Sequence, residues 1–220
     1  VVVFPQGKNG SSVVACDLQS GKTNWQFGDE LKSYSSPQIV KLAEVEQILI
    51  FAGQGLASLD DTGNLLWQVD WKLGETIPTV QPQLVGDNQV LLGAGDMGAK
   101  LIEVVFHDDK WTTREVWASK KLKPDFNDFV VHDGFVYGFD GRLLTCVDLK
   151  TGEQKWKGGR YGTGQMLLLA SQKLLLVVGD KGEVALVAAE PKAFREVERF
   201  QGIAGKTWNH PVIVRGLLLL

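Results

Sequence analysis

The chain has 220 residues, of which 44% are hydrophobic and 22% are charged, a composition typical of a folded globular protein that excludes the disordered, collagen-like and coiled-coil classes. Its formal net charge is −3, so it offers no basic field to a phosphate backbone, and nucleic acid is not predicted as a partner. No run of about 18 apolar residues occurs, so the chain is not predicted to span a membrane.

The first predicted elements are three short β-strands in residues 1–27. The last two of them flank a tight turn that contains the string Asp-Leu-x-Ser-Gly-x-x-x-Trp, from Asp17 to Trp25. In such a turn the Asp side chain bonds nearby backbone groups, and the glycine, here Gly21, supplies a positive φ. The Trp lies on the strand after the turn, where we predict that its ring wedges between neighbouring sheets and fixes their spacing.

The same string recurs along the chain. A second full copy occupies residues 148–156, and a shortened copy occupies residues 60–67. Two degenerate copies keep only the final aromatic residue, at Trp117 and Phe200. The intervals of about 40–50 residues between successive aromatics match a four-stranded propeller blade. The residues predicted to build the repeat are Asp17, Gly21, Trp25, Asp60, Gly63, Trp67, Trp117, Asp148, Gly152 and Trp156.

Between these markers the sequence predicts four short strands in each unit and no helix. The second unit shows this most clearly, with segments that are apolar or alternating and bounded by Gly, Asp or Pro. The predicted fold class is therefore all-β, a β-propeller of four-stranded antiparallel blades that forms a single segment over residues 1–220. The predicted blades cover residues 1–27 (partial), 35–71, 78–119, 126–157, 164–200 and 208–220 (partial).

The repeated string resembles the repeat of the PQQ-binding-like, or quinoprotein-like, β-propellers, which include quinoprotein alcohol dehydrogenases and BamB-like outer-membrane assembly lipoproteins. The resemblance covers nearly the whole chain and rests on three good copies in register with two poor ones. It implies a ring of seven or eight blades, so we expect the chain to be a partial, truncated ring. Merging the two partial blades into one is the alternative, but one strand would then be surplus. The resemblance also implies a bacterial protein exported to the periplasm or the cell surface.

In an antiparallel propeller, the loops between blades and the loops between the second and third strands of a blade emerge on one face, called the loop face below. The sequence places polar and aromatic side chains there that suit a peptide segment, a sugar or a planar cofactor. A glycan hypothesis rests on Trp71, Tyr161 and Trp208, and His210 begins an innermost strand near the axis. The candidate ligand-face residues are Tyr34, Trp71, Lys72, Asp96, Arg160, Tyr161, Trp208, Asn209 and His210.

Other motifs are interpreted as structural. Residues 93–98 match the Gly-x-Gly-x-x-Gly fingerprint of dinucleotide-binding proteins, but a strand rather than a helix is predicted to follow, so the segment is interpreted as a hairpin turn. The three histidines fall in different predicted blades, and none has a second His or Cys at ligand spacing, so no metal site is predicted. Cys16 and Cys146 are predicted to lie too far apart to form a disulfide and to be free thiols. No nucleophile has a partnered base, so no catalytic residue is predicted.

Two functions remain open from the sequence. The first, which we favour, is a non-catalytic binding or assembly scaffold for protein or glycan partners, with no cofactor. The alternative is a quinoprotein dehydrogenase that uses PQQ and Ca²⁺ to oxidise an alcohol or a sugar. Resemblance to the dehydrogenases would imply an adjacent Cys pair and a Glu, Asn and Asp set around calcium. The sequence contains only the separate Cys16 and Cys146 and no recognisable acidic cluster on the loop face.

Overall fold

The computed structural model describes residues 2–5, 12–29 and 32–220. These residues form short β-strands, with single-turn 3-10 helices at Gly95–Met97 and Ala170–Gln172. In this part of the chain, no helix has the length and apolar character needed to cross a membrane. The chain divides into an N-terminal unit, Val1–Trp117, and a C-terminal unit, Ala118–Leu220. Residues 1 and 6–11 of the predicted first blade lie outside the described residues.

The N-terminal unit contains antiparallel sheets in which strands adjacent in sequence pair with each other. Within the described residues the first sheet has three strands, and the next two have four each. The first sheet consists of β1 (Val2–Pro5), β2 (Val13–Cys16) and β3 (Thr23–Phe27). The second consists of β4 (Gln38–Leu42), β5 (Val45–Ala52), β6 (Gly55–Leu59) and β7 (Leu65–Asp70). The third consists of β8 (Gln83–Val85), β9 (Gln89–Gly93), β10 (Ala99–His107) and β11 (Lys110–Ser119).

The C-terminal unit follows the same plan, with two four-stranded sheets and a two-stranded sheet at the end of the described chain. The fourth sheet consists of β12 (Val130–His132), β13 (Phe135–Asp140), β14 (Leu143–Asp148) and β15 (Gln154–Arg160). The fifth consists of β16 (Gln165–Leu169), β17 (Leu174–Val178), β18 (Glu183–Ala188) and β19 (Glu196–Gln201). The last consists of β20 (Val212–Val214) and β21 (Leu217–Leu219). The predicted all-β class with four-stranded antiparallel sheets is confirmed.

The apolar residues of each sheet pack against the next sheet in the same unit. In the N-terminal unit, Phe51 and Trp67 of the second sheet share a buried cluster with Leu92 of the third. In the C-terminal unit, Trp156 of the fourth sheet shares a cluster with Leu175 of the fifth. Burying one large apolar side chain contributes about 1.5–3 kcal/mol, so these contacts between sheets are the main apolar stabilisation of each unit.

The repeated Asp residues organise the turns that precede the last strand of their sheets. Asp17 Oδ1 accepts the backbone N–H of Ser20 at 2.8 Å, and Asp148 Oδ1 accepts that of Thr151 at 3.1 Å. The hydrogen bond from the Ser20 backbone lowers the pKa of Asp17 below 3.8, because it favours the ionised carboxylate. Gly21 completes the first of these turns with a φ of 69°, a conformation that costs glycine little.

Two repeat tryptophans connect their own sheet to the turn of the next one. Trp25 Nε1 donates to the backbone oxygen of Asp61 at 2.9 Å, and Trp156 Nε1 donates to that of Glu190 at 2.7 Å. Trp67 differs, because its Nε1 donates to Gln47 Oε1 at 2.7 Å within its own sheet. The third sheet, which follows that of Trp67, has its corresponding turn at residues 108–109, and this turn lacks the repeat glycine. The same repeat position therefore serves two different hydrogen-bonding arrangements.

Candidate functional site

The loop-face candidates of the N-terminal unit do not form a single cluster of exposed side chains. Tyr34 and Lys72 are exposed on loops that follow β3 and β7, and Asp96 is exposed in the 3-10 turn after β9. Trp71 is buried: its ring stacks on Phe51 with centroids 6.1 Å apart. The Lys100 ammonium lies 5.2 Å from the Trp71 ring centroid. In this structure Trp71 therefore belongs to the core rather than to an open surface.

A small cavity of about 140 Å³ lies in the N-terminal unit. It is bounded by Phe27 at the end of β3, Gly55 at the start of β6, and Gln68 and Asp70 at the end of β7. Gln68 Nε2 already donates to Asp70 Oδ1 at 3.4 Å. None of the candidates predicted from the sequence lines this cavity, and its size is below that of a typical ligand pocket.

In the C-terminal unit, Arg160 is exposed while its neighbour Tyr161 is fully buried. Tyr161 Oη donates to Glu196 Oε2 at 2.5 Å, and Arg199, which pairs with Glu196, lies 4.8 Å from the Tyr161 ring centroid. Burial raises the pKa of Tyr161, and the hydrogen bond from Arg199 lowers the pKa of Glu196. This network connects the end of β15 to β19, so Tyr161 has a packing role.

An exposed aromatic surface of the C-terminal unit is formed by Phe126, Lys206 and Trp208, which we call the aromatic shelf. Phe126 is 59% exposed and Trp208 is 58% exposed. Their rings are nearly parallel, with an interplanar angle of 17° and centroids 6.5 Å apart. The Lys206 ammonium lies 3.8 Å from the Trp208 ring centroid. The shelf therefore presents two flat apolar rings and one positive charge to solvent.

Polar residues adjoin the shelf in sequence. Asn209 and His210 are exposed, and His210 Nδ1 donates to the backbone oxygen of Pro211 at 3.1 Å. Asp128 is half-buried, and burial raises the pKa of its carboxyl group above 3.8, an effect that the charge of His210 opposes. Trp208, Asn209 and His210 of the predicted set are thus consecutive residues of one exposed loop, and the effect that connects His210 to Asp128 is the electrostatic one on the Asp128 pKa.

Hydrogen bonds between loops hold the shelf in place. Gln165 Nε2, at the start of β16, donates to the backbone oxygen of Phe126 at 3.0 Å. The Thr207 backbone N–H donates to the Asp180 oxygen at 3.1 Å, and the Asp180 N–H donates to the Tyr161 oxygen at 3.0 Å. The loops of Tyr161, Asp180 and Thr207 are therefore connected through Asp180, and the Phe126 backbone is held separately by the Gln165 side chain.

Sequence reasoning missed Phe126, Asp128 and Lys206. Phe126 opens a predicted blade, and a large apolar side chain is more often buried than exposed in a folded protein. A usable signal was present, because Phe126 lies in the polar segment 125–128, which contains two Asp residues and an Asn. Lys206 precedes Trp208 by two residues, a spacing that in an extended loop allows the side chains to meet on one side.

Among the side chains that the structure describes, no group of three or more His, Cys, Asp or Glu residues is placed to hold a metal ion. The two cysteines are free, and burial raises the pKa of the Cys146 thiol to about 12, which makes it unreactive at neutral pH. The chemistry available at the aromatic shelf is therefore stacking, ion pairing and hydrogen bonding.

Replacing Asp128 with asparagine is expected to give a small gain in stability at pH 7. Because the folded-state pKa of Asp128 is raised, the folded chain binds this proton more tightly than the unfolded chain, and ionisation above the raised pKa disfavours folding. The advantage of Asp128→Asn should therefore shrink as the pH falls through the raised pKa towards 3.8. Urea unfolding of both chains across this range measures the difference, and an advantage that grows on acidification contradicts the assignment.

Comparison with known proteins places these features in a fold. A family model described as outer membrane protein assembly factor BamB matches residues 1–158. Among solved structures, the chain is similar to the crystal structure of BamB from Moraxella catarrhalis, with a TM-score of 0.51 and 13% sequence identity, over 97% of this chain and 78% of that chain. This likeness shows the fold and confirms the predicted β-propeller. No curated protein sequence gives a significant match.

Proposed function

Because the chain belongs to the family of the outer membrane protein assembly factor BamB, as its repeats predicted, we propose that it is a non-catalytic scaffold that binds a protein partner through its loop face. The observation that carries the proposal is the aromatic shelf, where Phe126 and Trp208 are both more than half exposed. Aromatic residues are enriched at protein interfaces and dominate their binding energy. The exposed pair is therefore the best-supported contact site in the C-terminal unit.

The description of the family, an outer membrane protein assembly factor, supports a proposal on where this chain acts and on the process in which it takes part. An assembly factor for outer-membrane proteins acts where those proteins fold, so we propose that this chain works in the periplasm of a bacterium, beside the outer membrane. Its proposed partner is a protein of the assembly machinery or a client of it. The net charge of −3 supports a protein partner over nucleic acid, as the composition predicted.

The double substitution Phe126→Ala and Trp208→Ala is expected to abolish partner binding while leaving the fold intact, because both side chains are exposed. A photocrosslinking residue placed at Asn209 of the full-length protein, in living cells, should capture one defined partner in the parent and lose it in the double variant. The abundance of outer-membrane β-barrel proteins should also fall in the same strain.

The matched control is Phe200→Ala, which removes an aromatic side chain of the same unit that is 50% exposed on β19. This variant should keep both the crosslink and the normal amount of β-barrel proteins. A double variant that is folded, as judged by its circular dichroism and melting temperature, but still forms the crosslink would contradict the proposed role of the shelf.

The quinoprotein alternative is tested separately, by calorimetric titration of PQQ with Ca²⁺ into the full-length protein. The residues described here do not fit the group: they contain no acidic cluster for calcium, and the sequence has no adjacent cysteines. We expect no binding heat and no dye-linked oxidation of alcohols. Stoichiometric binding with turnover would replace the scaffold proposal by the dehydrogenase.

A further inference from the structure

We propose that the aromatic shelf recognises a short extended peptide segment in which an aromatic or large apolar side chain lies next to a carboxylate. The inference rests on the proposed function and names the chemistry of the partner at that same surface. Three properties of Phe126, Lys206 and Trp208 support it: the exposure of both rings, the ammonium close to the Trp208 ring, and the hydrogen bonds that hold the loops.

The two rings define the apolar part of the site. Their centroids are 6.5 Å apart with an interplanar angle of 17°, an offset stacked arrangement. More than half of each side chain is exposed, so a further flat or branched apolar side chain can pack on the pair. Such a contact removes apolar surface from water on both sides, which is the general driving force for association.

Lys206 defines the charged part of the site. Its ammonium lies 3.8 Å from the Trp208 centroid, and in the described part of the chain it has no ion-pair partner. Among the described residues no carboxylate forms an ion pair with Lys206, and Asp180 Oδ2 instead accepts the backbone N–H of Thr163 at 3.4 Å. The unpaired charge at the Trp208 ring is therefore the Lys206 ammonium, and it calls for a carboxylate beside the apolar group of the ligand.

The loops that carry the shelf are also held in place by hydrogen bonds. The Phe126 backbone is held by Gln165 at 3.0 Å, and the loop that contains Lys206 and Trp208 is held at Thr207 by the Asp180 oxygen at 3.1 Å. Loops that are already ordered lose less conformational entropy on binding, so even a short peptide can be recognised.

The position of Lys206 favours a peptide over a sugar. A sugar stacks its C–H face on an open indole face, whereas here the ammonium occupies that position over Trp208. A carboxylate would draw Lys206 into an ion pair while the apolar side chain packs on the rings, and this combination occurs in peptides and not in neutral glycans. The glycan hypothesis therefore becomes an outcome of the test.

The test uses fluorine NMR of the full-length protein labelled with fluorotryptophan, with the Trp208 resonance assigned by its loss in Trp208→Phe. The probes are capped tetrapeptides: acetyl-Gly-Phe-Glu-Gly-amide, the same peptide with Gln for Glu, and the same peptide with Ala for Phe. We expect a saturable shift of the Trp208 resonance with the first peptide, about threefold weaker binding with Gln, the size of an exposed ion pair, and no shift with Ala.

Lys206→Gln should bind the Glu and Gln peptides equally, whereas Lys192→Gln, which removes an exposed lysine of the same unit, should keep the threefold preference. A preference that survives in Lys206→Gln, or its absence in the parent, overturns the inference. A Trp208 shift with chitotriose and none with the peptides overturns it in favour of a glycan.

If the Asn209 crosslink depends on the shelf while the peptide preference is absent, this inference fails and the proposed function stands. If the crosslink is independent of the shelf, the proposed function fails by its own test.

Discussion

Replacing Trp156 with alanine is expected to lower the free energy of unfolding by about 3–5 kcal/mol, the usual result of removing a buried Trp side chain. Only 8% of Trp156 is exposed. Its ring lies between Tyr137, with centroids 5.9 Å apart, and Phe194, with centroids 5.7 Å apart. Its Nε1 donates to the Glu190 backbone oxygen at 2.7 Å, so the substitution both opens a cavity and leaves a carbonyl group without its donor. Urea unfolding measures the loss.

Two matched variants separate these causes. Trp156→Phe keeps an aromatic ring in the cavity but cannot donate to Glu190, and it should cost about 1–2 kcal/mol. Trp208→Ala removes the same side chain from an exposed position and should change the stability by less than about 1 kcal/mol. If Trp156→Ala and Trp208→Ala were equally mild, the ring at Trp156 would not be a contact that holds the fourth and fifth sheets together.

Replacing Gly55 with alanine is expected to lower the free energy of unfolding by about 3–4 kcal/mol, or to prevent folding. Gly55 has a φ of 129°, a region that costs a non-glycine residue about 1–3 kcal/mol. An added Cβ would also lie 2.1 Å from the Val69 backbone oxygen and 2.7 Å from the Trp71 backbone nitrogen. Because both neighbours are backbone atoms, relief requires β6 and β7 to separate.

Gly53 in the same turn is the matched control. A Cβ there would have its nearest neighbour, the Lys32 backbone oxygen, at 3.8 Å, an ordinary van der Waals contact. Gly53→Ala should therefore unfold at nearly the denaturant concentration of the parent chain, with a change of less than about 1 kcal/mol. Comparable losses at Gly53 and Gly55 would show that turn entropy, and not the clash with β7, sets the cost.

Part of the fold was predictable from local sequence. The Asp side chains of the repeat accept hydrogen bonds from backbone groups within a few residues, as Asp17 does from Ser20 at 2.8 Å. The residues of the string therefore stabilise the turn that they form. The strands could be predicted for the same reason, since they are short, apolar and bounded by turn residues. The spacing of the copies indicated a propeller blade, and the family followed from the resemblance of the repeated string to a known repeat.

The partners of the repeated aromatics were not predictable. Trp25 and Trp67 occupy the same position in the repeat, yet Trp25 donates to the next sheet's turn and Trp67 donates to Gln47 in its own sheet. Which acceptor lies within reach depends on the neighbouring turn, and that turn is distant in sequence. Phe200, at the equivalent position of the fifth sheet, is 50% exposed, so the repeat pattern does not determine burial either.

The sequence by itself determined the all-β class, the repeat and the family, because these depend on residues close together in the chain. Only the tertiary structure decided which aromatic residues reach solvent. It buries Tyr161 against Glu196 and Trp71 against Phe51, while it brings Phe126 and Trp208 together at an exposed surface. The physical reason is that exposure depends on which loops pack against one another, and Phe126 and Trp208 belong to loops separated by two complete sheets in sequence.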